Sequence, residues 1–254
     1  MKTLLSPAKT LDFNSEQKIG SGVEPFFPEA SQKVGNKMAK LSVPKLMALQ
    51  KISKDLAKVN RQRNLDWTIE SNTQARQAVL AFKGDVYLGL EAWNWTETDM
   101  DFARGALWIL SGWYGILRPD TLIQPYRLEM GTALPIGRKP NLYAHWEPVL
   151  KDFFAQNLDE EETIVNLASK EYAQVVKQLE LKNPMIDVDF LDNSKGEYKV
   201  LSFFAKKARG LMANFIVQHR ISDWRDLKDF NLAGYYFDAS RSEPNKLVFL
   251  RDQK

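Results

Sequence analysis

Thr163-Ile164-Val165-Asn166-Leu167-Ala168-Ser169 is the stretch on which the fold turns. Its first five residues form a short, apolar, β-branched run, the mark of a buried strand. A helical pattern begins at Ser169. Thr3-Leu4-Leu5 repeats the theme and ends at Ser6-Pro7. Met185–Leu191 and Glu197–Phe203 flank Asn193-Ser194-Lys195-Gly196 and read as a hairpin. Tyr235–Asp238 and Lys246–Leu250 read as a last strand pair.

Helical signals fill the space between. They run from about 29 to 62, broken at Ser42-Val43-Pro44, where Ser42 caps and Pro44 suits a first turn. Further helices are expected over Asn72–Phe82, from Thr96 to Leu110, over Asn141–Asn157 and over Phe204–His219. Residues 14–28 read as a loop. Residues 115–140 carry Gly and Pro throughout and read as a long irregular connection, a length that suggests function or extended strand pairing. The expected architecture is α/β (mixed α+β): one domain over 1–254, a mixed sheet with helices packed around it.

The chain has 254 residues, 44% hydrophobic, which suffices for a sizeable core. It has no cysteine, which removes disulfides, thiolate catalysis, zinc fingers and iron–sulfur ligation. No apolar run reaches the ~20 residues of a membrane span, and the start of the chain lacks a secretory leader pattern. A cytoplasmic protein with no membrane partner is expected, a monomer before an oligomer. Two histidines and no cysteine also give no reason to expect a metal or a cofactor.

Net charge is only +3, but it is unevenly placed. Residues 31–63 hold nine Lys/Arg against one acid, Asp55, and residues 199–220 hold five Lys/Arg and no acid. Such polarity steers charged partners. Within Pro44–Arg61, Leu49, Ile52, Leu56 and Val59 are spaced 3, 4, 3, as are Lys51, Lys54, Lys58 and Arg61. At about 100° per residue the two stripes lie on opposite sides of one helix. The cationic row either follows a phosphate backbone or is a solvated face.

Lys206, Lys207, Arg209 and Arg220 form a second cationic set around Gly210. A glycine inside a helix implies close approach of a backbone or a ligand. The two strand ends deliver polar groups: Ser6, Lys9 and Thr10 from one, Asn166, Ser169 and Tyr172 from the other. Such ends line ligand crevices in α/β sheets. Arg127 and Glu129 could add a charged pair, and with Lys206 and Arg209 these residues make up a candidate pocket. Ser6 and Lys9 also have the Ser-x-x-Lys spacing of acyl enzymes, without the companion motifs. Gly112 and Gly115 follow a helix and could present backbone N–H groups to phosphate as a helix-hairpin-helix, or simply end that helix.

Ser-Pro-Ala-Lys-Thr-Leu-Asp-Phe (6–13), Ala-Phe-Lys-Gly-Asp-Val-Tyr (81–87), Leu-Ser-Gly-Trp-Tyr-Gly-Ile-Leu-Arg-Pro (110–119), Ile-Gln-Pro-Tyr-Arg-Leu-Glu-Met-Gly (123–131), Val-Asn-Leu-Ala-Ser-Lys-Glu-Tyr (165–172) and Ala-Lys-Lys-Ala-Arg-Gly-Leu-Met-Ala (205–213) resemble the YaaA family of peroxide stress proteins. The resemblance spans nearly the whole chain. It implies a bacterial cytosolic protein that limits iron-driven damage, with a basic cleft, a helix-hairpin-helix and DNA binding linked to repair. It implies no catalytic residue.

The expected function is therefore sequence-independent binding of double-stranded or branched DNA in the hydrogen peroxide response. Lys51, Lys54, Lys58, Arg61, Gly112, Gly115, Lys206, Lys207, Arg209 and Arg220 would contact it. The rival is an enzyme acting on a nucleotide, nucleobase or phosphorylated metabolite in the pocket of Ser6, Lys9, Thr10, Arg127, Glu129, Asn166, Ser169, Tyr172, Lys206 and Arg209. Convergence of those side chains in an enclosed space would favour the rival; a long open groove would favour DNA.

Overall fold

Leu4 and Leu5 have no exposed surface, and the strand that carries them sits inside the sheet. In the computed structural model the described residues are 1–252 apart from Gln17 and Ser71. In chain order the first half comprises β1 (Lys2–Leu5), α1 (Pro28–Ala39), α2 (Val43–Gln50), α3 (Lys54–Asp66), β2 (Arg76–Gln77), α4 (Ala78–Ala81), α5 (Asp85–Leu90), α6 (Glu97–Ala106), β3 (Leu107–Ser111), β4 (Gly115–Leu117) and β5 (Leu122–Ile123). The second half comprises α7 (Leu142–Asn157), β6 (Ile164–Asn166), α8 (Lys170–Lys177), β7 (Met185–Ser194), β8 (Glu197–Lys199), α9 (Ser202–Gln218), β9 (Tyr235–Phe237) and β10 (Lys246–Arg251).

The sheet has the order β4-β3-β1-β6-β7-β10-β9, with β8 paired to β7. β3, β1, β6, β7 and β10 run parallel, while β4, β8 and β9 are antiparallel additions. β1, β3 and β6 are almost wholly buried, as parallel strands covered on both faces must be. The result is the single compact α/β fold with a mixed sheet that the strand runs imply. Among the described residues no helix is long and apolar enough to cross a membrane.

Three expected helices differ. Thr96–Leu110 is divided: Thr96 and Asp99 form a capping box that starts α6, but Leu107 leaves helical geometry and Leu107–Ser111 becomes β3 against β1. Gly105, next to last in α6, is the local mark of that change, but a lone glycine is tolerated inside a helix and a short apolar run fits helix or strand equally. Pairing with β1 decides it. Asn72–Phe82 is mostly not helical. The Asn72 side chain accepts from the Gln74 N–H at 2.9 Å, and Arg76–Gln77 then pairs with β5. Gln77 also ties down the Ile19 backbone through both its side-chain atoms.

The 44–61 segment is two helices. Lys51 takes φ 51°, ending α2, and the Ser53 hydroxyl caps α3 by accepting from the Leu56 N–H at 3.3 Å. The break resets the helical phase. Ala57, Asn60 and Asn64 face inward while Val59 is 48% exposed. The apolar stripe read across 49–59 is therefore not one buried face.

Gly112 and Gly115 do not lie between helices. They bracket the β3–β4 turn, so the expected helix-hairpin-helix is a β-hairpin. Ser111 Oγ accepts from the N–H groups of Trp113 and Tyr114 at 3.2 and 3.0 Å, and Trp146 donates to the Gly112 carbonyl at 3.0 Å. Trp113 is fully buried. Phosphate has no access to this turn's backbone, and both glycines leave the list of contacts.

α5 and α9 meet at Gly89 and Gly210. A Cβ on Gly210 would overlap the Val86 carbonyl oxygen, and one on Gly89 the Lys207 carbonyl oxygen. The reason for Gly210 is thus a neighbouring backbone. Gly210→Ala is expected to lower unfolding free energy by about 3 kcal/mol, the upper end for overpacking, measured by urea denaturation beside Gly105→Ala, where a Cβ meets nothing.

Asp99 gives an acid-limb prediction. Burial opposes its ionisation, but the Thr96 backbone N–H, Arg220 at 2.7 Å and the Thr96 hydroxyl outweigh that and hold its pKa at about 2, below the ordinary 3.8. Its contribution to stability is complete above about pH 4 and is lost as pH falls toward 2. Denaturation curves between pH 5 and 2 should fall less steeply for Asp99→Asn than for the native chain.

Candidate functional site

β1 and β6 are adjacent and parallel, so their carboxyl ends open at the same edge of the sheet. The segment Ser6–Thr10 leaves one end, and Leu167–Ser169 leaves the other into α8. The two are joined. Ser6 Oγ accepts from the Ser169 N–H at 2.8 Å and lies 3.3 Å from Ser169 Oγ. Tyr87 of α5 donates to the Ser6 carbonyl at 3.0 Å. This stitching fixes the floor of a cavity of about 430 Å³.

Ser6, Lys9 and Thr10 line one side of the cavity, Ser169 and Tyr172 another, and Lys206 and Arg209 of α9 a third. All seven were expected to meet. The remaining wall is Lys83-Gly84-Asp85-Val86, where α5 begins, with Glu171 beside it. Sequence reading missed these. Lys83-Gly84 looked like the end of a helix, whereas here Gly84 starts one.

The lining has four cations, Lys9, Lys83, Lys206 and Arg209, against Asp85 and Glu171. Lys83 leans on Asp12 at 3.3 Å and Lys9 on Glu129 at 3.0 Å. Lys206 and Arg209 have no carboxylate in ion-pair range among the described residues. Burial pulls the Arg209 pKa down, partly offset by Asp189, so its charge sits where water serves it poorly. Burial, helped by Tyr126, Glu171 and Glu129, pushes the Tyr172 hydroxyl well above its ordinary value. It remains a neutral donor.

Arg127 and Glu129 line a smaller neighbouring cavity of about 50 Å³, which shares Lys9 and Tyr172 with the first. The two side chains lie 3.4 Å apart. Glu129 takes both Arg127 and Lys9, so the pair is a clamp on the loop as well as a wall. Lys9 Nζ turns to Glu129 and Ser6 Oγ to Ser169, so among the described residues no hydrogen bond joins Ser6 to Lys9. Asn166 does not reach the cavity. It donates to Asp187 at 2.6 Å and accepts from the Ala168 N–H at 3.0 Å, which shapes the end of β6.

The expected nucleic-acid contacts are spread over several elements. Lys51 closes α2, while Lys54, Lys58 and Arg61 belong to α3. Lys58 faces Asp55 at 3.6 Å. Arg220 is engaged by Asp99 at 2.7 Å and covers the Phe102 ring. Lys207 is exposed but lies outside the cavity lining. Among the described residues no three of His, Asp and Glu are grouped as a metal site requires.

The segments that build this edge are Ser6–Phe13, Ala81–Tyr87, Ile123–Gly131, Val165–Tyr172 and Ala205–Ala213. They are five of the six stretches on which the resemblance to a family rests. A family model described as peroxide stress protein YaaA matches residues 1–241, nearly the whole chain, and the chain belongs to that family.

Proposed function

We propose that this chain serves the peroxide stress response by holding a phosphorylated, nucleotide-class ligand at the carboxyl ends of β1 and β6. Family membership supports the stress role. The observation that carries the ligand reading is the convergence of Ser6, Thr10, Ser169, Lys206 and Arg209 in one partly enclosed cavity of about 430 Å³. That volume lies within the range of small-molecule sites. A hydroxyl-lined floor with two unpaired cations suits a phosphate, because charge-assisted hydrogen bonds strengthen away from water.

DNA binding, with its link to repair and to limiting iron-driven damage, is the second reading. Lys51 and Lys54 favour it, being exposed and free of carboxylate partners among the described residues. The divided row weakens it.

Calorimetric titration of the intact protein with AMP, ATP and ribose 5-phosphate tests the first reading. At least one should bind, and Lys206→Gln with Arg209→Gln should weaken it about 10- to 100-fold, as loss of charged hydrogen bonds does. No binding by any of the three, or binding untouched by the double variant, would sink it. A gel shift with duplex and branched DNA across salt concentrations decides the second reading. Steep salt dependence, abolished by Lys51→Glu with Lys54→Glu, would put DNA in its place.

A further inference from the structure

A second concave surface lies away from the strand ends. Lys33, Asn36, Lys37 and Lys40 of α1 line a groove of about 580 Å³. Their spacing of 3, 1 and 3 places all four on one helical face. Across the groove stands a tight turn, Ile136 to Lys139, closed by two backbone hydrogen bonds of 3.0 Å. Gly137 in that turn has φ +59°, which suits glycine, and Arg138 and Lys139 follow it as exposed residues. His145, Pro148 and Val149 of α7 form the floor.

The lining therefore holds five cations and no carboxylate. Among the described residues none of the five is within ion-pair distance of an acid. Glu29 and Glu147 sit on the same helices, outside the lining. Uncompensated cations gathered around a concavity give it a positive potential, which attracts an anion. Ile136, Pro148 and Val149 add apolar surface to the lining.

We infer that this groove is a separate anion site, built for a short chain of linked phosphates. Cations on two facing elements match an anion with several charges strung along it, whereas a single phosphate would reach only one side. The Arg138 fork suits phosphate oxygens, and the lysines supply point charges. Inorganic tripolyphosphate is the simplest such anion; the same chemistry comes with a nucleoside triphosphate, whose base would meet the apolar wall.

His145 is a reporter set in the floor. Its Nε2 lies 3.2 Å from the Ala30 carbonyl oxygen. Burial lowers its pKa, and Lys33 and Lys139, from opposite walls, lower it further. An anion seated between those lysines must raise it. His219, the chain's other histidine, stands at the end of α9 against Phe215 and serves as an internal control.

The test is an NMR titration of both imidazoles with pH, at fixed ionic strength, with tripolyphosphate, ATP, sulfate or a short DNA duplex. Tripolyphosphate or ATP should raise the His145 pKa by about one unit, as a nearby opposite charge does, and leave His219 unmoved. Lys37→Gln with Arg138→Gln should weaken that binding at least about tenfold, whereas Arg209→Gln should not change it. A larger effect from ATP identifies a nucleotide. The inference is overturned if sulfate at matched ionic strength gives the same shift, if only duplex DNA moves His145, or if the double variant binds undiminished.

Discussion

The backbone contact between α5 and α9 is the constraint on which the candidate site depends. Gly89 and Gly210 let the two helices approach until each presses on the other's carbonyl oxygens. No side chain fits between them. That closeness sets the distance between Lys83–Val86 on one wall and Lys206 and Arg209 on the other. A helix spaced at the usual 8–10 Å or more would carry those cations outward and open the cavity to water. The glycines cost helix propensity, and the packing they permit positions charge.

The floor obeys a different rule. Parallel strands end together, and the loops after them must cross the same edge. Here the crossing is fixed by small polar groups, because the Ser169 N–H at the start of α8 needs an acceptor and Ser6 Oγ provides it. Asn166 and Asp187 do the same job one strand over. The polar residues near the site thus divide by task. Ser6, Asn166, Arg127 and Glu129 hold loops in place, while Lys206 and Arg209 keep charge unpaired. Unpaired, partly desolvated charge is the signature of a site waiting for a ligand, and satisfied pairs are the signature of a scaffold.

This division explains what was legible in the sequence. The strands Thr3–Leu5 and Thr163–Leu167 could be read because an apolar run bounded by polar turn residues has few other solutions. The pocket residues that follow them were legible for the same reason. β3 was not, since Leu107–Leu110 continues the apolar pattern of the helix, a lone Gly105 is tolerated inside a helix, and pairing with β1 distinguishes the two states. The single helix read over 44–61 divides where Lys51 ends one helix and Ser53 caps the next, and that break in phase separates Lys51 from Lys54, Lys58 and Arg61. The groove of α1 was not legible because two of its five cations, Arg138 and Lys139, come from some hundred residues away, and no periodicity links a helix face to a distant turn.

The absence of cysteine now bears on how a peroxide stress protein of this kind can work. Reaction with peroxide by a side chain runs chiefly through a thiolate, and this chain has none. Iron capture through protein ligands asks for converging carboxylates or histidines, and among the described residues no such group is found. What the chain does offer is cations held apart from acids in two concave places, Lys206 with Arg209 at the strand ends and Lys33, Lys37 and Lys40 facing Arg138 and Lys139.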